Sequence, residues 1–290
     1  MLVQYLQYAI FGLVTGSILL LGSVGFAMVR WSENWLNIAH GQFVALGAYL
    51  GYMFYMVLKL NLILSCVLAI VLTMILGWAF NEILFKPIRA HGGLYLLFTS
   101  VGLSYVIHGT IEAGFGTGPK AFLVSAPAQI SVAGNPLIST LEIIIIATAA
   151  VCAVGLHLFL TRSRMGTAVR AMSSDYHLAG IRGINTSTVS SVVWLLGAAL
   201  AGLAGVLLGI YGTVYTDMGW ALILLILSAT VLGGLGSIYG VMVGSILIGL
   251  GMDLSVIFIN PAYRSAVPFV VIMIVLVFRP QGILGSGGST

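Results

Sequence analysis

His108 and Glu112 stand four residues apart in an apolar run, one helical turn along the same face. An imidazole beside a carboxylate can hydrogen-bond inside a bundle or relay a proton, and an ion-coupled carrier needs such a relay. Glu82, Glu142 and Asp253 also fall in or beside apolar runs, each near a predicted helix end. No His, Asp and Glu residues cluster at metal-ligand spacing, and no nucleophile stands in a motif with its base. The sequence therefore predicts no catalytic site, no metal and no cofactor: this is not an enzyme. A glycine-rich phosphate loop ending in Gly-Lys-Ser/Thr is missing too. The lysines are Lys59, Lys86 and Lys120, and none follows a glycine, so the chain is not expected to hydrolyse ATP itself.

Two other stretches carry polarity or backbone irregularity inside apolar sequence. Asn37-Ile38-Ala39-His40-Gly41-Gln42 places three polar side chains at the start of a hydrophobic run, with Asn37 suited to cap a helix. Thr230 to Gly240 holds glycines at 233, 234, 236 and 240, which weaken a helix but let backbones approach closely. Transporters place solute sites beside interrupted helices of this kind. Asn37, His40, Gly41, Gly233, Gly234 and Gly236 are accordingly candidates for a translocation path. A helix cap for the first group and tight packing for the second are the structural alternatives.

The elements that position these residues follow from composition. Of 290 residues, 60% are hydrophobic and 6% charged, with a mean hydropathy of +1.14. A soluble domain carries about 25% charged residues. The apolar runs are too long for barrel strands and suit helices, which need about 20 apolar residues to span. The fold class is thus all-α: one polytopic membrane domain over residues 1–290. The N-terminus lacks a basic start and a small-residue cleavage site, so the first helix is expected to be retained. Cys66 and Cys152 lie in apolar runs as small core residues.

Predicted spans are 6–29, 38–58, 62–85, 94–114, 137–160 and 189–211, followed by a more broken region with 221–233, 238–259 and 265–278. The seventh and ninth need care. Segment 221–233 is short, at about 20 Å for a rise of 1.5 Å per residue, and 265–278 contains Pro268. Eight to ten membrane helices are expected, one or more of them broken or re-entrant. Residues 115–136 form the longest outside segment, rich in Gly, Pro and Ala, with a short β-like run.

Between Thr161 and Thr188 the chain turns polar and gathers Arg162, Arg164, Arg170 and Arg182. With this insert inside and the spans alternating, Arg30, Lys86, Arg89 and Arg279 also fall inside, while Lys59, Lys120 and Arg264 fall outside. That is the positive-inside pattern, with the N-terminus outside and the C-terminus cytoplasmic. The net charge of +4 is explained by this placement and does not suggest nucleic acid. Within the insert Met165, Val169, Met172, Tyr176 and Ala179 recur at helical spacing, and Gly180 and Gly183 follow where a helix would end. Such a helix is too short and polar to span. It can lie on lipid headgroups or present a face to a groove in a soluble partner.

The segment resembles the cytoplasmic coupling loop of ATP-binding-cassette importer permeases, whose pattern is an acidic-Ala-Ala triplet, three residues, then Gly. Here it reads His177-Leu178-Ala179, Gly180-Ile181-Arg182, Gly183, with the first two triplet positions departing from the general pattern. The wider run from Gly166 to Asn185 is more similar to the permeases of branched-chain amino acid importers. Asn37 to Phe43 with Gly47-Ala48-Tyr49, Gly233 to Gly240, and Phe278 to Gly285 resemble further motifs of that family, so the resemblance spans almost the whole chain.

The resemblance implies a permease subunit of the bacterial inner (plasma) membrane. It would pair with a second, related permease and bind two cytoplasmic ATPase subunits and a periplasmic or extracellular solute-binding protein, in contact with membrane lipid. The ATPase would dock on 166–183 within the loop 161–188, at Arg170, Asp175, His177, Ala179, Gly180 and Gly183. The expected function is uptake of branched-chain or related amino acids. Uptake of urea, amides or another small solute is one alternative. An ion-coupled secondary transporter using His108, Glu112 and Asp253 is the other.

Overall fold

The computed structural model describes residues 2–124, 128–132, 135–279 and 281–284. Long apolar segments become helices because a helix satisfies every backbone polar group within itself, as a span in lipid must. Helix α1 covers Leu2–Glu33 and turns at Asn34, which has positive φ. Helix α2, His40–Tyr52, is prolonged by a π-helical turn, Met53–Val57. Asn61 caps α3, Leu62–Phe80, by accepting from the Leu64 amide at 2.7 Å. A second π-turn, Asn81–Phe85, leads into α4, Lys86–Ile88. Pro87 explains the widening: it has no N–H for the carbonyl of Ile83, and its ring crowds the preceding turn. After a short 3₁₀ turn, Arg89–His91, and Gly92 at φ +103, helix α5 covers Gly93–Phe115.

Strands β1, Lys120–Ala121, β2, Gln129–Val132, and β3, Asn135–Ser139, follow. β2 and β3 form an antiparallel hairpin that pairs Gln129 with Ser139 and Ile130 with Ile138, so the loop expected over 115–136 contains real strand structure. Residues 125–127 and 133–134 of that loop, Pro280 and the tail from Gly285 lie outside the described residues. Next come α6, Thr140–Arg162, α7, Arg164–Ser174, α8, Tyr176–Ile181, and α9, Thr186–Tyr211. Strand β4, Thr213–Val214, pairs with β1. The chain then forms α10, Met218–Gly233, α11, Ile238–Ser255, a 3₁₀ turn, Pro261–Ala266, and α12, Val267–Phe278.

Among the described residues seven helices are long and apolar enough to cross a membrane: Gln4–Glu33, Leu62–His91, Gly93–Phe115, Thr140–Arg162, Thr186–Tyr211, Ile238–Ser255 and Pro261–Phe278. The two remaining expected spans are shorter helices. α2 opens on His40, Gly41 and Gln42, and α10 has 16 residues before Gly233 and Gly234 end it. Pro268, by contrast, does not break its span, because it sits in the first turn of α12, where a missing N–H costs nothing.

Contacts divide the chain into two compact units, each discontinuous in sequence. In the unit made of 1–23, 124–153 and 224–290, Leu19, Ala229, Leu232, Ile248 and Met252 form a core with Val271, Val275 and Ile283. Here α1 and α11 meet backbone to backbone through Gly16 and Gly249; a Cβ on Gly16 would lie 2.9 Å from the Ile246 Cα. In the unit made of 24–123 and 154–223, α9 packs between α2 and α3. Gly47 against Gly202, Gly205 against Val44 and Ala48, and Gly77 against Ala198 bring these helices close. Small residues do this work because lipid gives apolar side chains no reason to leave it for a neighbouring helix.

Candidate functional site

The polar insert is built as two short helices with a buried and an exposed side. Ser163 starts α7 by accepting from the Gly166 amide at 2.8 Å. Gly166, Val169 and Met172 are buried, and α7 packs on α9, so the apolar stripe expected along this segment faces the protein. The single helix expected through Ala179 is interrupted. Asp175 takes an extended backbone (φ −158, ψ 110), and its Oδ1 accepts from the Leu178 amide at 2.8 Å, ending α7 and capping α8. A short carboxylate offers the backbone this alternative wherever it can cap a following turn. Gly183, at φ +85, closes α8. Its amide donates to the Gly180 carbonyl at 3.0 Å, while the Ile184 amide donates to Ala179 at 3.1 Å, a Schellman ending.

These details separate the expected docking residues by position. Arg170, Asp175, Gly180 and Gly183 are exposed, whereas Ala179 is 4% exposed. His177 lies on α8. Asp175 and Gly183 shape the helix ends. Leu178 and Ile181, 48% and 82% exposed, were not among the expected residues and stand with Arg182 on the outer side of α8. The amphipathic phase read from α7 could not find them, since the break at Asp175 resets it.

Where α9 leaves the insert it is tied down by buried charge. Glu33, at the end of α1, meets Arg89 at 2.8 Å with its side chain 1% exposed. The indoles of Trp35 and Trp194 donate to the same carboxylate at 2.8 and 3.2 Å, and so does the Ser190 hydroxyl of α9. Phe85 stacks on Trp194 with ring centroids 4.8 Å apart. The next residue, Ser191, donates to Glu82, which pairs with Lys86 at 2.6 Å. Sequence reasoning missed this centre, for nothing local connects residues 56 and 157 positions apart.

At the start of α2, Asn37 and His40 are each 1% exposed. The Asn37 Oδ1 accepts from the Ala39 amide at 3.1 Å and closes a turn ahead of the helix, but the N-cap of α2 is Ala39, not Asn37 as expected, and no side chain caps it. The His40 ring packs edge-on to Phe26, centroids 5.9 Å apart, and lies against Gly25. Gly41 faces the Gly219 carbonyl and Ile223.

The glycine-rich stretch belongs to the other unit. Gly233 and Gly240 touch backbone to backbone across the α10–α11 turn, and Gly234 has φ +105. The segment after α12 docks here: the Ile283 and Leu284 amides donate to the carbonyls of Leu232 and Gly233 at 2.8 and 3.1 Å. Two stretches singled out separately in the sequence thus form one structure. Gly236 is exposed in the turn.

Each carboxylate flagged in the sequence has a partner. Glu142 accepts from the Ser139 amide at 2.7 Å, and Ser139 accepts from the Glu142 amide at 3.3 Å, a capping box at the start of α6. Asp253 pairs with Arg264 at 2.8 Å and accepts from Thr15 at 2.7 Å. His108 lies 3.9 Å from Glu112 but 3.1 Å from Asp217, a residue the sequence did not single out. Among the described residues no three His, Cys, Asp or Glu side chains are grouped to hold a metal.

Comparison with known proteins was informative over nearly the full length. A family model described as branched-chain amino acid transport system, permease component, matches residues 8–276. The high-affinity branched-chain amino acid transport system permease protein BraD of Pseudomonas aeruginosa is 30% identical over 295 residues, covering 97% of this chain and 96% of the relative. The permease protein LivH of Escherichia coli K12 is 31% identical over 294 residues, with the same coverage. A probable LivH of Methanocaldococcus jannaschii is 24% identical, covering 94% of this chain and 90% of the relative. No solved structure matches.

Proposed function

We propose, because the chain belongs to the permease family of branched-chain amino acid transport systems, that it forms the membrane pathway of an ATP-driven uptake system for branched-chain amino acids. It works in the bacterial inner membrane with its N-terminus outside and its C-terminus in the cytoplasm. α2 and α10 join the seven long helices to give an odd number of crossings. Two observations within one unit support that topology. Glu33, Arg89 and Ser190 gather the end of α1, the foot of α4 and the start of α9 at one end. The β1–β4 pair and the Tyr55 bond to the Leu123 carbonyl gather the opposite ends.

The observation that carries the energy coupling is the two-sided build of the insert. Val169, Met172 and Ala179 anchor it, while Arg170, Leu178, Gly180, Ile181 and Arg182 are left outward. A soluble ATPase subunit docks on that outer side, with Asp175 and Gly183 holding its shape and His177 lying among them on α8. Closure of two such ATPases reaches the pathway through α9. A second, related permease completes the pathway, and a solute-binding protein delivers the amino acid from outside. The polar start of α2, with Asn37, His40 and Gly41, lines the path, and Gly233, Gly234 and Gly236 serve the close turn between α10 and α11. Asp253, one of the three groups an ion-coupled carrier would use, is paired with Arg264.

The test is reconstitution into liposomes with the cognate ATPases, second permease and binding protein. Leucine uptake should require ATP inside. Uptake that persists without ATP and follows a proton gradient would overturn this reading.

A further inference from the structure

The side chain of Gln42 is 1% exposed, yet neither its Oε1 nor its Nε2 makes a hydrogen bond. A side-chain amide has two donors and an acceptor oxygen, and folded proteins leave few such groups buried and unmade because each has lost its water. Gln42 is not alone. The Asn37 Nδ2 has no partner either, and the buried Tyr49 hydroxyl, two turns further along the same face of α2, faces Thr216 without a hydrogen bond of normal geometry. Asn37 just ahead of α2, and Gln42 and Tyr49 on it, together leave hydrogen-bonding capacity unused.

What seals the amide is the first turn of α10. A Cβ on Gly219 would lie 2.6 Å from the Gln42 Cδ and 2.8 Å from its Nε2, so this backbone closes directly on the amide. On the facing side, a Cβ on Gly41 would lie 2.8 Å from the Ile223 Cβ and 3.0 Å from the Ile223 amide nitrogen. The contact therefore depends on a missing side chain in both elements, and it gives the amide nothing to bond to. Elsewhere the Ser23 hydroxyl also lacks a partner, and Asn81, Arg89 and Arg264 each leave one buried nitrogen unpaired while bonding through their other atoms; the Gln42 amide uses neither its oxygen nor its nitrogen. An amide left bare at a backbone-to-backbone closure is provided for in another state, when the first turn of α10 moves away.

We infer that Gln42 is the residue that reads the zwitterionic head of the amino acid during passage. Its Oε1 accepts from the ammonium group and its Nε2–H donates to the carboxylate. A neutral amide serves both ends of a zwitterion without placing a fixed charge in the membrane that would hold the solute or demand a counter-ion. The bonds exist only while the pathway is occupied, so the amide is bare when it is shut. This rests on the uptake function proposed above and adds to it the polar contact that the pathway makes.

The experiment uses the assembled complex in liposomes and compares wild type with Gln42→Leu, an apolar side chain of similar size. Leucine uptake at saturating binding protein should fall about tenfold, the effect of one lost hydrogen bond to a charged group. ATP hydrolysis should stay near wild type and the melting temperature should be equal or higher, because the variant removes unmade hydrogen bonds from the closed state. Unchanged uptake overturns the assignment, and so does a lowered melting temperature with uptake and hydrolysis falling together, which marks a structural amide. In a background lacking Cys66 and Cys152, Gln42→Cys should react with a small water-soluble thiol reagent during ATP-driven turnover but not at rest, and excess leucine should slow the reaction. Protection under every condition overturns the assignment independently of the Leu variant. A wild-type complex that takes up no branched-chain amino acid overturns the proposed function itself.

Discussion

Arg89 and Glu33 meet at 2.8 Å where three helices converge, and the Ser190 hydroxyl binds both the Glu33 carboxylate and the Arg89 guanidinium. Two indoles complete the carboxylate's shell. A buried ion pair is tolerable only when its remaining hydrogen bonds are made in this way. Because Ser190 lies in α9 just after the insert, any movement of the insert is transmitted against this fixed point.

Arg89→Ala should therefore be strongly destabilising, by about 3–5 kcal/mol, since it strands a buried carboxylate. The double variant Glu33→Leu/Arg89→Ala should recover a substantial part of that loss. Thermal unfolding of the detergent-solubilised protein checks both, and equal melting temperatures for the single and double variants would show that the two charges are not coupled.

Asp175 acts through its oxygen as a helix cap rather than through its charge. Asp175→Ala should loosen α8 by about 1 kcal/mol and weaken ATP-driven uptake, whereas Asp175→Asn, which keeps the acceptor, should not. If Asn fails as badly as Ala in the uptake assay, the carboxylate charge is contacting a partner instead.

Two neighbouring insert positions should respond in opposite ways. Ile181, 82% exposed, can be changed to Asp without altering the melting temperature, but ATPase subunits should be lost on co-purification. Ala179, 4% exposed, cannot accept Arg without loss of folded protein. Retention of the ATPases by Ile181→Asp would move the docking surface elsewhere.

Close helix contacts give a stability test independent of function. A Cβ on Gly205 would lie 2.9 Å from the Ala48 amide nitrogen and collide with the Val44 carbonyl, so Gly205→Ala should cost about 1–3 kcal/mol by overpacking. Gly102 and Gly155 face open space, and Ala at either should be neutral or stabilising by up to about 1 kcal/mol. Melting temperatures of the three variants should separate accordingly.

The long spans were legible because an unbroken apolar run has one stable outcome in lipid. α6 and α9 come out at 140–162 and 186–211 against expected spans of 137–160 and 189–211. The buried stripe of α7 was legible for a similar reason, since Val169 and Met172 keep helical phase. The break at Asp175 was not, because an Asp in an amphipathic pattern reads the same whether it faces water or caps a new helix. The Glu33 centre and the docking of Ile283 and Leu284 on the end of α10 were hidden for another reason: each joins residues far apart in sequence. The partnering of His108 by Asp217 rather than chiefly by Glu112 is a third case, in which the neighbour in sequence was the weaker neighbour in space.

The tie between Ile283, Leu284 and the last carbonyls of α10 has a consequence for biogenesis. Those carbonyls belong to a helix that is made and inserted well before the residues that satisfy them have been synthesised. During that interval the end of α10 is chemically unfinished, and water at the membrane surface must stand in for the missing amides. Completion of this helix is thus a late event in the birth of the protein, timed by translation rather than by the helix's own propensity. A premature stop between Phe278 and Ile283 would leave every span in place but the turn between α10 and α11 unsealed.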